Sequence, residues 1–203
     1  MAKKPLRVKH NHLERDRGLK LLFGALRFTL YGFVGLSAEV IFYTLVKVGR
    51  LIPVVRWLFV FDWRVDPRLN LSAIWDAPVT AFFGQCSLWM FPVYAGASML
   101  CVEPLYRALA RRPWALRALL YGLSILAFEA ASGWALFWLT GYKIWFYDDR
   151  FNVVGMTSLA IGPIWMATGL LVERIYRELM DPKAVAELER LEAAAEPRGL
   201  SPS

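Results

Sequence analysis

The sequence predicts an all-α integral membrane protein: four transmembrane helices forming two parallel helical-hairpin repeats, with an interfacial segment between spans one and two. Three observations carry that expectation. The 203 residues are 57% hydrophobic and 15% aromatic with only 20% charged, which is too apolar for a soluble domain. Charges collect at the ends and connectors, so that the 25 residues from Ala118 to Tyr142 hold one, Glu129. A fifteen-residue stretch recurs ninety positions later.

The same composition excludes several kinds of chemistry. Cys86 and Cys101 are the only cysteines and lie too far apart along one apolar stretch to pair, while His10 and His12 sit in a basic tail. No metal site and no cofactor is therefore expected. The net charge of +7 does not point to nucleic acid, because the basic residues flank apolar spans and do not cover a folded face.

A hydrocarbon core of about 30 Å takes about 20 helical residues. Four segments qualify, near 24–48, 80–103, 116–140 and 154–175. The first runs on past Glu39 to Val46, too long for a cleaved signal peptide. Between the first two spans, Trp57, Phe59, Phe61 and Trp63 alternate as an interfacial belt would. Pro92 and Pro163 interrupt spans two and four and are expected to kink them. Lys and Arg number eight in residues 1–27, four in 104–117 and five after Glu173, against seven in the two intervening connectors, which places both termini in the cytoplasm. The organisation is thus a basic tail (1–23), a first repeat (24–110) with an outer insertion at about 50–76, a second repeat (111–178) and a C-terminal tail (179–203). In that last tail Asp181 and Pro182 open an exposed helix that Pro197 and Gly199 end.

The repeat is read directly. "ALRFTLYGFVGLSAE" at 25–39 and "ALRALLYGLSILAFE" at 115–129 share eight identities, including Arg27/Arg117, Tyr31/Tyr121 and Glu39/Glu129. At an offset of 70, Ile74, Trp75, Val102, Glu103 and Tyr106 match Ile144, Trp145, Val172, Glu173 and Tyr176. A unit that crosses the bilayer twice re-enters from the same side, so the copies should be parallel about an axis along the membrane normal. Small residues Gly35, Ser37 and Ala38 in the first helix, and Ala127, Ala130, Ala131, Ser132 and Gly133 in the third, suggest that these two helices adjoin.

Glu39 and Glu129 each lie twelve residues past an arginine, a rise of about 18 Å, which puts both carboxyls near mid-membrane. An acid there costs a few kcal/mol and calls for a partner or a polar cavity. Facing carboxyls can share a proton, and with Tyr31 and Tyr121 about two turns away they could line a site for a cation, proton or polar substrate. The alternative is a hydrogen-bonded lock between helices. Glu103 and Glu173, beside Arg107 and Arg174, read as interfacial ion pairs. The connector "YKIWFYDDRFNVVG" offers Trp145, Tyr147, Asp148 and Asn152 as an aromatic belt and turn, or as a lid over the acids.

The order "RFTLYGFVGLSAEVIF", "PVYAGASMLCVEPLYRAL", "LLYGLSILAFEAASG" and "WFYDDRFNVVGMTSLAIGPIWMATGLLVER" resembles the transmembrane protein 229 family and the related ABC-transporter type IV permeases (CmpB-like), over Arg27 to Arg174. Family members carry Trp-Asp-Tyr where this chain has Trp145-Phe146-Tyr147, with Asp148 one place beyond. The resemblance implies a small multi-span protein of the plasma or bacterial inner membrane. With no "GxxxxGK[ST]" loop in the chain, any ATPase would be a separate subunit. The expectation is a transport or permeation component in the lipid bilayer, as a homo-oligomer or with such a subunit. The alternatives are a membrane scaffold and, third, an intramembrane lipid-modifying enzyme, disfavoured because no intramembrane His or Glu-x-x-His motif is present.

Overall fold

The computed structural model describes residues 6–53, 63–64 and 86–180. Within them the chain is mostly helical. Helix α1 spans Leu6–Leu51 without interruption, 46 residues and about 69 Å at ~1.5 Å per residue. No proline falls between Pro5 and Pro53, so nothing in the chain removes a backbone donor along its course. The basic stretch expected as a tail is therefore helical from Leu6 onward.

Helix α2 runs through residues 90–109 as Met90–Gly96, a π-helical segment Ala97–Val102, and Glu103–Leu109. Its irregularity has a local cause. Pro104 has no N–H to give to the preceding turn and its ring crowds the carbonyl four residues back, a strain that wider π turns relieve. The expected kinks at Pro92 and Pro163 are not where the helices deform. Both prolines fall in the first turn of their helices, where a missing donor costs nothing.

Helix α3, Trp114–Thr140, is 27 residues long and ends where Gly141 takes φ 75° and returns its N–H to the Phe137 carbonyl at 2.8 Å. Helix α4, Gly162–Leu179, follows a 3-10 turn at Leu159–Ile161. The fourth span was expected from 154, but 154–158 belongs to a hairpin. Strands β3 (Asn152–Val153) and β4 (Thr157–Ser158) pair antiparallel, with Asn152 opposite Ser158. Farther apart in sequence, β1 (Trp63–Arg64) pairs antiparallel with β2 (Phe146–Tyr147). The fold is thus not purely α. Of the 50–76 insertion, β1 alone is among the described residues after Pro53, and Trp57, Phe59 and Phe61 lie outside them, as does the helix expected from Asp181.

Packing pairs α1 with α2 and α3 with α4, and the π segment of α2 joins the two pairs by packing on both α3 and α4. The first and third helices, expected to adjoin, are not one of the main packing pairs. Their glycines serve other neighbours: Gly32 and Gly35 receive the rings of Phe91 and Tyr94 from α2, Gly122 receives Met166 of α4, and Gly133 faces Met156 and Trp145 of the connector. A glycine in a helix admits whichever large side chain approaches it, so smallness alone does not name the partner.

The core is mostly apolar, but it also encloses carboxylates and hydroxyls while many large apolar side chains face outward. Glu103, Glu129, Glu173, Ser98 and Thr157 are buried, while Leu21, Phe33, Leu88, Leu100, Trp138 and Leu171 are among the large apolar side chains left exposed. Among the described residues two helical stretches, Gly18–Leu51 of α1 and Trp114–Thr140, are long and apolar enough to cross a membrane.

Candidate functional site

Four buried or half-buried glutamates lie in two layers along the helices. The first layer is at the Arg27 and Arg117 level. Arg117, on the first turns of α3, reaches Glu173 of α4 with two bonds, Nε to Oε2 and Nη2 to Oε1, both 2.8 Å. Tyr121, one turn on, donates its hydroxyl to Glu173 Oε2 at 2.8 Å. The equivalent residues of the first half gather around Glu103 in a looser arrangement, in which Arg27 pairs by charge without a hydrogen bond from Nε. Arg27 Nε lies 2.9 Å from Oε1, Tyr31 donates to Oε1 at 3.1 Å, and Arg107 Nη2 adds a contact to Oε2 at 3.2 Å. Arg107 Nε also donates to the Tyr176 hydroxyl at 3.0 Å, and the guanidinium groups of Arg27 and Arg107 both stack over the Tyr176 ring.

This corrects two expectations. Tyr31 and Tyr121 do not serve Glu39 and Glu129, because each is bonded to the carboxylate of the helix beside it. Glu103 does pair with Arg107, as expected, but it and Glu173 are only 2% and 5% exposed, and Glu173 pairs with Arg117 while Arg174 turns to Glu178. The repeat marks the members of these clusters, Arg and Tyr at an offset of 90 and Glu at 70, but not that they meet.

The second layer stands eight residues beyond Tyr31 and Tyr121 along α1 and α3, a rise of about 12 Å. Glu129 is buried and accepts three bonds: from the Tyr147 hydroxyl to Oε1 at 2.9 Å, and from the Thr157 hydroxyl and Trp165 Nε1 to Oε2. Those donors come from β2, β4 and α4. Glu39 accepts from Tyr94 of α2 at 2.6 Å and from the Cys86 thiol at 2.7 Å, both on Oε2. The two carboxylates share no hydrogen bond, but they are near enough to act on one another electrostatically. Glu39 and Glu129 are thus brought into one region, each with its own donors. Tyr94, Cys86, Thr157 and Trp165 were not foreseen, because no local spacing links them to either acid.

The connector divides in the same way. Tyr147 serves Glu129, and burial beside the Glu129 and Glu39 carboxylates pushes its phenol well above the ordinary tyrosine range. It therefore remains a donor. Trp145 is buried and donates to the Met156 carbonyl at 2.9 Å, tying β2 to the hairpin. Asn152 donates to the Asp149 carbonyl at 2.7 Å, and Asp149 Oδ1 accepts from Phe151 N and from the Ser158 hydroxyl, both at 2.8 Å. Asp148 is exposed and lies 3.7 Å from Arg64. Of the four connector residues singled out by sequence, Tyr147 alone reaches a glutamate. The connector does cover Glu129, through Tyr147 and Thr157.

No family model, no curated protein and no solved structure matches the chain.

Proposed function

We propose that the chain is an integral membrane protein of four spans in two repeated hairpins, with cytoplasmic termini, acting as a transport or permeation component whose ion site is formed by Glu39 and Glu129. One observation carries this reading. Among the described residues the glutamates divide into two kinds: Glu103 and Glu173 are neutralised by arginines, whereas Glu39 and Glu129 touch neutral donors and no Lys or Arg. A mid-membrane acid without a fixed counter-charge is where a mobile cation or proton is bound.

The outward-facing apolar side chains and the residues recurring at offsets of 90 and 70 support the membrane and repeat parts of the reading. Four spans give a thin wall for a pathway, so a homo-oligomer or a separate transporter subunit belongs to it. The resemblance to the transmembrane protein 229 and type IV permease families covers both glutamates.

The test is ion flux in proteoliposomes. Glu39→Gln with Glu129→Gln should leave thermal stability in detergent close to wild type and abolish ion-linked flux. A second reading, a membrane scaffold, is favoured by one observation: Glu129 ties α3 to β2, β4 and α4 at once. It predicts the opposite outcome, a double variant that melts early and a wild type that carries no flux.

A further inference from the structure

Helix α1 continues well past the arginine layer. From Arg27 back to Leu6 it adds about 32 Å, as much again as a hydrocarbon core is thick. A Cβ on Gly18 or Gly24 would meet nothing within 4 Å, and Leu21 and Leu22 are 75% and 42% exposed. A helix of this length holding two glycines is marginal alone, because most helical stability comes from packing an apolar stripe on a neighbour.

The end of α4 indicates that neighbour. This helix runs from Trp165, which bonds Glu129, to Tyr176, whose ring lies under the Arg27 guanidinium, so it runs against the direction of α1. Arg27 Nη1 then donates to the Met180 sulfur at 3.5 Å. The chain beyond Met180 therefore starts beside α1, on the side from which Leu26 to Leu6 extend.

The two segments are complementary in sequence. Residues 6–20 hold five Lys or Arg and two acids, a net +3, while 181–196 hold five acids and two Lys or Arg, a net −3. Ala184, Leu188, Leu191 and Ala195 recur at intervals of four, three and four, the seam of a helix that packs on another, and α1 offers Leu19, Leu22 and Leu26 at three and four. With Met180 level with Arg27 and an equal rise along two helices, Leu188 comes level with Leu19, Glu187 with Lys20 and Glu192 with Arg15.

Resting on the membrane part of the reading above and not on transport, we infer that residues 181–196 dock as an antiparallel helix on the cytoplasmic extension of α1. The acidic flanks of the tail neutralise the basic helix, which would otherwise be drawn to anionic headgroups.

The experiment follows amide hydrogen exchange across residues 8–20 by mass spectrometry, in full-length protein held in neutral phosphatidylcholine vesicles. Wild type should be protected there. Glu187→Lys with Glu192→Lys should speed that exchange about tenfold without altering α1 itself, and adding Arg15→Glu with Lys20→Glu should restore protection. A carbodiimide, which joins an amine directly to a carboxylate, should link Lys20 to Glu187 within the wild-type monomer, a result that holds even if a variant misfolds. Links found between two chains alone would overturn the inference in favour of a second copy. Protection that arises in anionic vesicles alone would give the basic helix to lipid headgroups and overturn it too. Labelling Lys20 with a membrane-impermeant amine reagent separates the two readings: reaction from the side of the C-terminus without the link sinks the docking alone, whereas reaction from the opposite side sinks the orientation and the docking together.

Discussion

Arg117 grips Glu173 side-on, two N–H donors to two carboxylate oxygens at 2.8 Å each, in a setting where the pair is 14% and 5% exposed. Such a fork is the strong form of an ion pair, and it joins the start of α3 to the last turns of α4. Breaking one side leaves a buried charge without its partner. Arg117→Ala should cost about 3–5 kcal/mol in unfolding experiments in detergent, and Arg117→Met with Glu173→Met should cost less than either single change. A single-variant loss under about 1 kcal/mol would show the pair to be as weak as a surface one.

The cluster at Glu103 makes a graded version of the same prediction. Arg27 is 13% exposed and Arg107 is 60% exposed, though both touch the one carboxylate. Solvent screens the second contact, so Arg107→Ala should cost no more than about 1 kcal/mol while Arg27→Ala costs several times that. Tyr31→Phe and Tyr121→Phe each remove a donor to a buried carboxylate and should cost alike, about 1.5–3 kcal/mol. Thermal shifts for the four variants on one plot check the order.

Glycines on α1 should respond with opposite signs. A Cβ on Gly35 would fall 2.3 Å from Cγ of Tyr94, and that ring is tethered through its hydroxyl to Glu39 at 2.6 Å, so it cannot easily swing aside. Gly35→Ala should destabilise by about 1–3 kcal/mol. Gly24 has nothing within 4 Å of its would-be Cβ, and there Gly→Ala should stabilise by up to about 1 kcal/mol through helix propensity. Equal effects at both sites would contradict the packing of α1 on α2.

How far these relationships could be read in advance depends on their range in sequence. The apolar runs mark the course of α1, α2 and α3, and the residues that recur at an offset of 90 pick out Arg27, Tyr31, Arg117 and Tyr121 as positions that matter. What they bind could not be read, because Glu103 is 72 residues from Tyr31 and Glu173 is 52 from Tyr121, and nearer arginines offered a plausible local match. The hairpin at β3 and β4 was hidden for a different reason. "FNVVGMTS" is apolar enough to pass as the start of a span, and two-residue strands leave too few positions for alternation to show. The Asp149 and Asn152 turn residues and Gly155 were the available signal.

That hairpin holds a strained residue. Val154 sits at φ 51° beside Gly155 at φ 74°, the positive pair of a type I′ turn closed by Met156 N to the Val153 carbonyl at 3.3 Å. A β-branched side chain is poorly suited to that region, whereas asparagine tolerates it. Val154→Asn should raise stability by about 1 kcal/mol, since the Val154 side chain is 60% exposed and gives up little burial. Its carbonyl, which accepts from Trp134 Nε1 at 3.2 Å, is kept. A lower melting temperature in that variant would show that the valine contributes packing that outweighs its strain.

Tyr147 sets the alkaline limit of the second layer. Its phenol is buried and faces Glu129 and Glu39, so its folded-state pKa lies well above the unfolded value of about 10. As pH rises the unfolded chain gives up this proton first. The contribution to stability is therefore complete below pH ~10 and declines above it, until the folded phenol itself ionises. Other buried tyrosines add to the total slope, and the part belonging to Tyr147 is isolated by comparison with Tyr147→Phe. That variant should be less stable at neutral pH, having lost the bond to Glu129, and should show a shallower alkaline decline. Parallel stability curves for the two proteins above pH ~10 would mean that the phenol titrates alike in both states, and that its bond to Glu129 opens to solvent.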